Sequence, residues 1–243
     1  PPFRQQQAKA SHNIKPAGDL IQGRFYYFWA MFYTIKPPWI LKKIYPNLLW
    51  QNPGNEKTIY LTFDDGPHPA ATPFILDKLK AYKAKATFFC IGKNVIEYPE
   101  IYKRILNEGH AVGNHTQNHL DGWKTPDEKY FDNIFEAAKY IDSNLFRPPY
   151  GRITKFQSNL LQQGSLKKTG QKHFKLIMWS VLSGDFDIKL SPEKCFQNVL
   201  LNTKAGSIVV FHDSTKAWDR MNYALPKMLE HFSKLGYRFE SIV

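Results

Sequence analysis

Two pairs of residues in this chain suit a divalent metal ion and a base. Asp64 and Asp65 are adjacent carboxylates, and His115 and His119 are imidazoles four residues apart. A catalytic zinc-like ion takes three protein ligands from histidine and carboxylate and leaves one position open for water. The ion makes that water easier to deprotonate, so a second carboxylate can serve as the base. These residue types therefore predict a hydrolytic metal site.

The sequence around the two aspartates explains how both can reach one site. The apolar run 59–63 predicts a strand, on which neighbouring side chains point to opposite faces. Gly66 and Pro67 favour a turn directly after it, so both carboxylates lie where the strand ends. Either motif alone fits an ordinary turn or a solvated loop, because short motifs recur by chance. Their joint occurrence favours the metal site.

Five motifs in order make the chain resemble the polysaccharide deacetylases, the NodB-type family of carbohydrate esterases (family 4). They lie at residues 62–67, 115–119, 147–151, 179–186 and 208–213, within a region from about 57 to 237. Leu182 departs from the family pattern, which often has an acidic residue there. Phe186 stands where the family often has tryptophan. Both departures concern one wall of the substrate groove and leave the metal site intact.

The resemblance implies a role for each residue of the metal site. Asp65, His115 and His119 are expected to bind one divalent ion, with zinc as the default and cobalt, manganese or nickel as alternatives. Asp64 is expected to be the general base that takes a proton from water. Arg147 is expected to hold Asp64 by charge-assisted bonds and keep it ionised.

The resemblance also implies roles around the bond that is cleaved. The metal and the backbone N–H of Tyr150 are expected to stabilise the oxyanion formed by attack on an N-acetyl carbonyl. His212 is expected to protonate the leaving amine, with Asp185 orienting its ring and sustaining its charge. The residues expected to contact the glycan are Pro148, Tyr150, Trp179 and Phe186.

Ordinary structural roles remain open for three of these side chains. Arg147 can be a surface cation, His212 a core histidine at a strand end, and Trp179 a core aromatic. The remaining histidines receive no catalytic role; they are His12, His68, His110, His173 and His231.

The function implied by the resemblance is removal of N-acetyl groups from a glycan that contains N-acetylglucosamine, such as peptidoglycan or chitooligosaccharide. An O-acetyl polysaccharide esterase and a glycan-binding pseudoenzyme are the alternatives, and the complete set of site residues argues against the second. We expect a glycan as the partner, a monomer, and no nucleic acid, since no standard binding motif is present. The resemblance favours the cell envelope or secretion, with peripheral envelope association as an open alternative.

Length and charge fit one catalytic domain behind a basic lead-in. The chain has 243 residues, 43% of them hydrophobic, which excludes a disordered chain. Its net charge is +12, and residues 1–57 hold 8 basic and 2 acidic residues. We predict a partly mobile lead-in at 1–56 and the catalytic domain at 57–243. The aromatic-rich run 25–35 is too short to span a bilayer by itself. It is expected to pack on the barrel, with an interfacial segment or the remnant of a signal or anchor region as open alternatives.

Strand and helix signals alternate after residue 57. Strands are predicted at 58–63, 86–91, 110–114, 144–147, 175–179, 207–211 and near 237. Helices are predicted from 72 and at 99–108, 125–143, 155–163, 191–202 and 218–235. This alternation predicts a mostly parallel sheet, and the candidate site residues fall near the carboxyl ends of strands, where barrel enzymes form active sites. Together with the resemblance it predicts an α/β fold, a distorted (β/α) barrel of about seven parallel strands.

Overall fold

The computed structural model describes residues 33–54, 56–164 and 173–243. The chain divides into two compact units, residues 1–34 and Ile35–Val243, and the second carries all the elements below. Most of the aromatic-rich run 25–35 lies outside the described residues. Among the residues that are described, no helix is both long and apolar enough to cross a membrane.

A curled sheet of parallel strands forms the centre of the molecule. Its strands are β1 (Thr58–Asp64), β2 (Ala86–Cys90), β3 (Ala111–Asn114), β4 (Leu145–Phe146), β5 (Lys175–Leu176), β6 (Val181–Leu182), β7 (Ile208–His212) and β8 (Arg238–Phe239). Seven follow the order β5-β4-β3-β2-β1-β7-β6, and β8 pairs with the start of β1. The predicted distorted barrel of about seven parallel strands is confirmed.

Helices surround the sheet and connect its strands. They are α1 (Trp39–Ile44), α2 (Ala71–Ala81), α3 (Gly92–Glu97), α4 (Pro99–Asn107), α5 (Asp127–Ala137), α6 (Lys155–Gln163), α7 (Pro192–Asn202) and α8 (Trp218–Lys234). Helix α6 has the predicted bounds because Thr154 and Gln157 form a reciprocal capping box at its start and Gly164 ends it with a positive φ of 62°.

Some elements differ from the sequence-based prediction. Helix α5 ends at Ala137 rather than at residue 143, and strand β5 ends at Leu176 rather than at residue 179. The short elements α1, α3 and β6 are not predicted at all. Each has six residues or fewer, too few for a periodic pattern to appear.

Alternation along β1 divides its side chains between two environments. Ile59, Leu61 and Phe63 are fully buried in the main hydrophobic cluster, which includes the apolar faces of α2 and α8. Thr62 and Asp64 point to the other face because successive strand residues alternate. The Thr62 hydroxyl donates to the Val209 carbonyl at 2.9 Å. The interior of the curled sheet is therefore polar at the carboxyl end of β1.

Residues of the lead-in cover both outer strands of the sheet. The carbonyl of Ile35 accepts a hydrogen bond from the Leu182 N–H of β6 at 2.8 Å. On the opposite side, the Leu49 N–H donates to the Leu176 carbonyl of β5 at 2.9 Å, and the Leu49 carbonyl accepts from the Met178 N–H at 2.8 Å. These contacts satisfy backbone groups that an outermost strand leaves unpaired.

Candidate active site

Three side chains from two loops converge at the carboxyl end of the sheet. The candidate ligand atoms of Asp65, His115 and His119 all lie within 4.8 Å of one another. Asp65 Oδ1 is 3.2 Å from His119 Nε2 and 3.7 Å from His115 Nε2. The same oxygen is buried and makes no hydrogen bond to any described residue. One carboxylate and two imidazoles in this arrangement fit a divalent ion such as zinc, with coordination space left over.

The environment of His115 selects the nitrogen that faces the site. His115 Nδ1 lies 2.7 Å from the backbone carbonyl of Arg147. A carbonyl only accepts, so Nδ1 carries the hydrogen and Nε2 keeps its lone pair toward Asp65. Burial lowers the pKa of His115 to about 4, against smaller opposing effects of the nearby carboxylates. The ring is therefore neutral at pH 7, which is the form that binds a metal.

A strained turn presents Asp65 to the two imidazoles. Asp65 has a φ of 85°, a left-handed conformation that is uncommon for a residue other than glycine. Its carbonyl accepts a hydrogen bond from Asn94 Nδ2 of α3 at 2.7 Å, which helps to hold this conformation. The turn rotates Asp65 away from the strand alternation that fixes Asp64, so the two neighbours take separate places in the site.

Helix α3 holds the loop that carries both histidines. The N–H groups of Gly92 and Lys93 at its first turn donate to the carbonyls of Thr116 and Gln117 at 3.0 and 3.1 Å. These donors have no partner inside the helix, so the loop satisfies them. His119 itself has a φ of 56°. The functional loop is thereby fixed at its middle as well as at its ends.

Asp64 is the second carboxylate and binds a buried arginine. Arg147 is fully buried, which excludes the surface-cation alternative, and its Nη1 donates to Asp64 Oδ1 and to Thr62 Oγ1, each at 2.7 Å. Its other nitrogens donate to the carbonyls of Ile177 and Met178 at 3.1 and 2.9 Å. Removing one partner of a buried ion pair typically costs about 3–5 kcal/mol. Asp64 is thus held by Arg147 and is not part of the group formed by Asp65, His115 and His119.

A second buried aspartate, Asp213, secures the turn after Asp65. Its Oδ1 accepts from the Gly66 N–H at 2.8 Å, and its Oδ2 accepts from the Thr72 hydroxyl at 2.5 Å. Burial raises the pKa of Asp213 to about 8. A Cβ at position 66 would lie 1.8 Å from Asp213 Oδ2, so only glycine fits there. Thr72 lies inside α2, which begins at Ala71, so it clamps this turn instead of opening the helix as predicted.

His212 ends β7 and binds Asp185. Asp185 is fully buried, and its Oδ1 lies 2.7 Å from His212 Nδ1 while its Oδ2 accepts from the His212 N–H at 2.7 Å. Burial opposes a charge on His212, but the carboxylate of Asp185 outweighs it and raises the pKa of His212 to about 10. Because Nδ1 is occupied, Nε2 is the atom that can give a proton to a substrate. Arg220 Nε donates to the Asp185 carbonyl at 2.6 Å and fixes that backbone.

The predicted glycan-contacting residues lie in different environments. Tyr150, with a φ of 60°, is 60% exposed, and its ring centroid is 4.6 Å from that of His119. Phe186 is half-buried with its ring 5.2 Å from that of His212. Pro148 is buried, and Trp179 is half-buried against Gly151. Tyr150 therefore lies beside the candidate ligand His119 and Phe186 beside His212, while Pro148 is buried and Trp179 packs against Gly151.

Sequence reasoning missed several residues that support this site. Asn94, Thr72, Asp213 and Arg220 act through hydrogen bonds between segments far apart in the chain. For Asp213 a signal was present, because it directly follows His212 at the end of an apolar run. Two histidines that received no catalytic role make structural contacts: His110 accepts a hydrogen bond from the Ala86 N–H, and His68 contacts the start of α2. His12 lies outside the described residues.

Several known proteins that are similar to this chain in sequence and in fold are deacetylases of glycans. A family model described as polysaccharide deacetylase matches residues 51–169. The chain is 38% identical over 199 residues to a peptidoglycan-N-acetylglucosamine deacetylase of Bacillus cereus, covering 79% of this chain and 90% of that protein. It is 34% identical over 166 residues to a chitooligosaccharide deacetylase of Azorhizobium caulinodans, covering 65% and 75%. A crystal structure of a peptidoglycan N-acetylglucosamine deacetylase superposes with a TM-score of 0.72 at 32% identity, covering 83% and 94%.

Proposed function

We infer that this chain, which belongs to the polysaccharide deacetylase family, is a metal-dependent hydrolase that removes N-acetyl groups from a glycan containing N-acetylglucosamine and releases acetate. One observation carries this inference: the three metal-binding candidates lie beside two separately held proton-transfer groups, Asp64 with Arg147 and His212 with Asp185. Hydrolysis of an amide needs both a base for water and an acid for the departing amine.

Asp65, His115 and His119 would hold the metal ion, which we propose to be zinc. When bound, the ion supplies Lewis-acid polarisation of the acetyl carbonyl and lowers the pKa of water. His115 is prepared for this role because its Nδ1–H is bonded to the Arg147 carbonyl, which directs the lone pair of Nε2 toward the site.

Asp64 acts as the general base. Its Oδ1 is bonded to Arg147 Nη1, so one carboxylate oxygen is fixed while the group remains able to accept a proton. The hydrogen bond from Arg147 also fixes the orientation of the carboxylate. The burial of both groups excludes water from the pair and strengthens the interaction that positions the base.

The oxyanion and the leaving amine require separate donors. The backbone N–H of Tyr150 would donate to the oxyanion, since the side chain of this residue already lies at the site, with its ring centroid 4.6 Å from that of His119. A donor of this kind is typically worth about 2.7–4 kcal/mol. His212 Nε2 gives its proton to the departing nitrogen, which cannot leave as an anion at neutral pH. Asp185 keeps the imidazole charged and fixed in orientation.

Acetate release from matched substrates tests this function. The purified protein with zinc should release acetate from N-acetylated chitooligosaccharides and from peptidoglycan strands, and EDTA should stop the reaction. O-acetylated xylan serves as the ester comparison. Acetate from the ester alone would replace this proposal with an O-acetyl esterase, and no metal-dependent release from any of these glycans would favour a glycan-binding pseudoenzyme.

A further inference from the structure

We propose that Lys216 recognises a carboxylate on the sugar next to the one that is deacetylated, and so selects acidic glycan strands over neutral ones. This inference rests on the proposed deacetylase function. The ammonium of Lys216 lies 6.0 Å from the ring centroid of Phe186, and the Phe186 ring lies 5.2 Å from the ring of His212. Lys216 is thus one aromatic side chain away from the proposed acid.

The backbone at Lys216 is held rigidly relative to that acid. The guanidinium of Arg220, which is buried, donates through Nη2 to the Lys216 carbonyl and through Nε to the Asp185 carbonyl. Asp185 in turn binds His212 through both carboxylate oxygens. One buried cation therefore fixes the backbones of both Lys216 and Asp185, and the exposed lysine side chain extends from a defined point at the rim of the site.

The cation near Tyr150 and the cation near Phe186 differ in their partners. On the Tyr150 side, the guanidinium of Arg152 lies 5.5 Å from the tyrosine ring, and it forms an ion pair with Asp121 at 2.6 Å. On the Phe186 side, Lys216 forms no ion pair with any acidic residue in the described part of the chain. Lys216 is therefore a cation without an acidic partner among the described residues, close to the proposed acid and available to an anionic group of the substrate.

The chemistry of the candidate glycans makes this charge selective. A chitooligosaccharide carries no anionic group, whereas a peptidoglycan strand places a lactyl carboxylate, or a stem peptide with its own carboxylates, on the neighbouring muramic acid. A sugar that packs on Phe186 would bring such a carboxylate toward Lys216. In this arrangement the half-buried Phe186 ring provides apolar contact for the sugar, and the Lys216 ammonium distinguishes acidic from neutral glycans.

The experiment compares kcat/KM on three glycans of equal length. These are a chitooligosaccharide, a peptidoglycan strand stripped of stem peptides by an amidase, and the same strand with its peptides. In Lys216→Gln, the ratio of kcat/KM for the acidic to the neutral glycan should fall roughly three- to tenfold, mostly through KM, the size expected for one partly exposed charged contact. Lys216→Arg should restore the ratio, and Lys216→Glu should lower it further.

Lys227→Gln is the matched control, since it removes the same charge from an exposed position on α8. A fall on the stripped strand identifies the lactyl carboxylate as the recognised group, and a fall on the peptide-bearing strand alone identifies the peptide. An equal loss on acidic and neutral glycans, or a loss that Lys216→Arg does not restore, would overturn the proposal and leave the deacetylase function standing. A wild-type protein inactive on all three would instead remove the function on which it rests.

Discussion

Asp64 and His212 lie opposite each other in register on the adjacent parallel strands β1 and β7. Each is the last residue of its strand, and each is held by its own buried partner, Arg147 or Asp185. The proposed base and acid are thus one strand spacing apart, about 4.8 Å between backbones. The distance between the proposed base and the proposed acid is therefore set by backbone pairing rather than by flexible loops.

Loss of one metal donor should remove both metal and activity. His119→Ala is expected to lose its divalent ion and its acetate release, because two remaining ligands hold zinc poorly. Elemental analysis after dialysis measures the metal content. His231→Ala, a histidine exposed on α8, should keep both. Full metal content in the His119→Ala protein would exclude His119 as a ligand.

Loss of the base should separate catalysis from metal binding. Asp64→Asn keeps an oxygen that can accept from Arg147 and leaves the three candidate ligands in place, so metal content should change little, although loss of the buried charge should lower thermal stability. Turnover should fall roughly 10²- to 10⁴-fold, the usual contribution of general acid–base catalysis. Metal content and acetate release are measured on the same preparation. If metal disappears in step with activity, Asp64 is a ligand and another group must be the base.

Loss of the acid should depend on the leaving group. An amide nitrogen must be protonated to depart, whereas the phenolate of an activated aryl ester leaves unaided. His212→Ala should therefore impair N-deacetylation of a chitooligosaccharide far more than hydrolysis of an aryl acetate. Asp185→Asn should act in the same direction but more mildly, because it disturbs only the orientation and charge of the imidazole. Equal losses on both substrates at unchanged metal content would assign His212 to oxyanion stabilisation instead.

The pH dependence of activity should reflect the pKa of His212, which is set by its ion pair with Asp185. Removing the negative charge in Asp185→Asn leaves burial to lower the pKa of His212 from its value of about 10. The alkaline limb of kcat/KM should then move to lower pH by roughly 1–3 pH units, the usual effect of one close opposite charge. Wild-type protein measured in the same buffers serves as the control. An alkaline limb that stays in place would mean that another group sets it.

The same pair should contribute to stability with a defined sign. The pKa of His212 is raised on folding from an ordinary value of about 6.5. Its stabilisation is therefore fully present below pH 6.5 and is lost as the pH rises through about 10. Urea unfolding should show a larger gap between wild type and Asp185→Asn at pH 6 than at pH 10.5. A gap that is equal at the two pH values would show that the charge of His212 does not stabilise the fold.

The sequence predicted the parts of this site that depend on strand ends and local turns. Asp64 and Asp65 could be placed because they follow the apolar run 59–63 and precede the turn at Gly66, and His212 because a similar run precedes it. The tertiary supports could not be found in this way. The hydrogen bond from Asn94 to the Asp65 carbonyl joins positions whose relation appears only after the sheet has formed. The same holds for the short helix α3, which is defined by the loop it binds.

The backbone contacts of Ile35 and Leu49 have a consequence for how the chain avoids self-association. Seven strands in an open order leave β5 and β6 as the outer strands, and bare outer strands are templates for cross-molecular pairing. The carbonyl of Ile35 and the amide and carbonyl of Leu49 occupy such positions from within the same chain. A version that began at residue 57 would keep every proposed catalytic group. It would also leave the outer edges of β5 and β6 with unpaired backbone groups. The segment before β1 is thus a safeguard against aggregation, separate from the chemistry of the site.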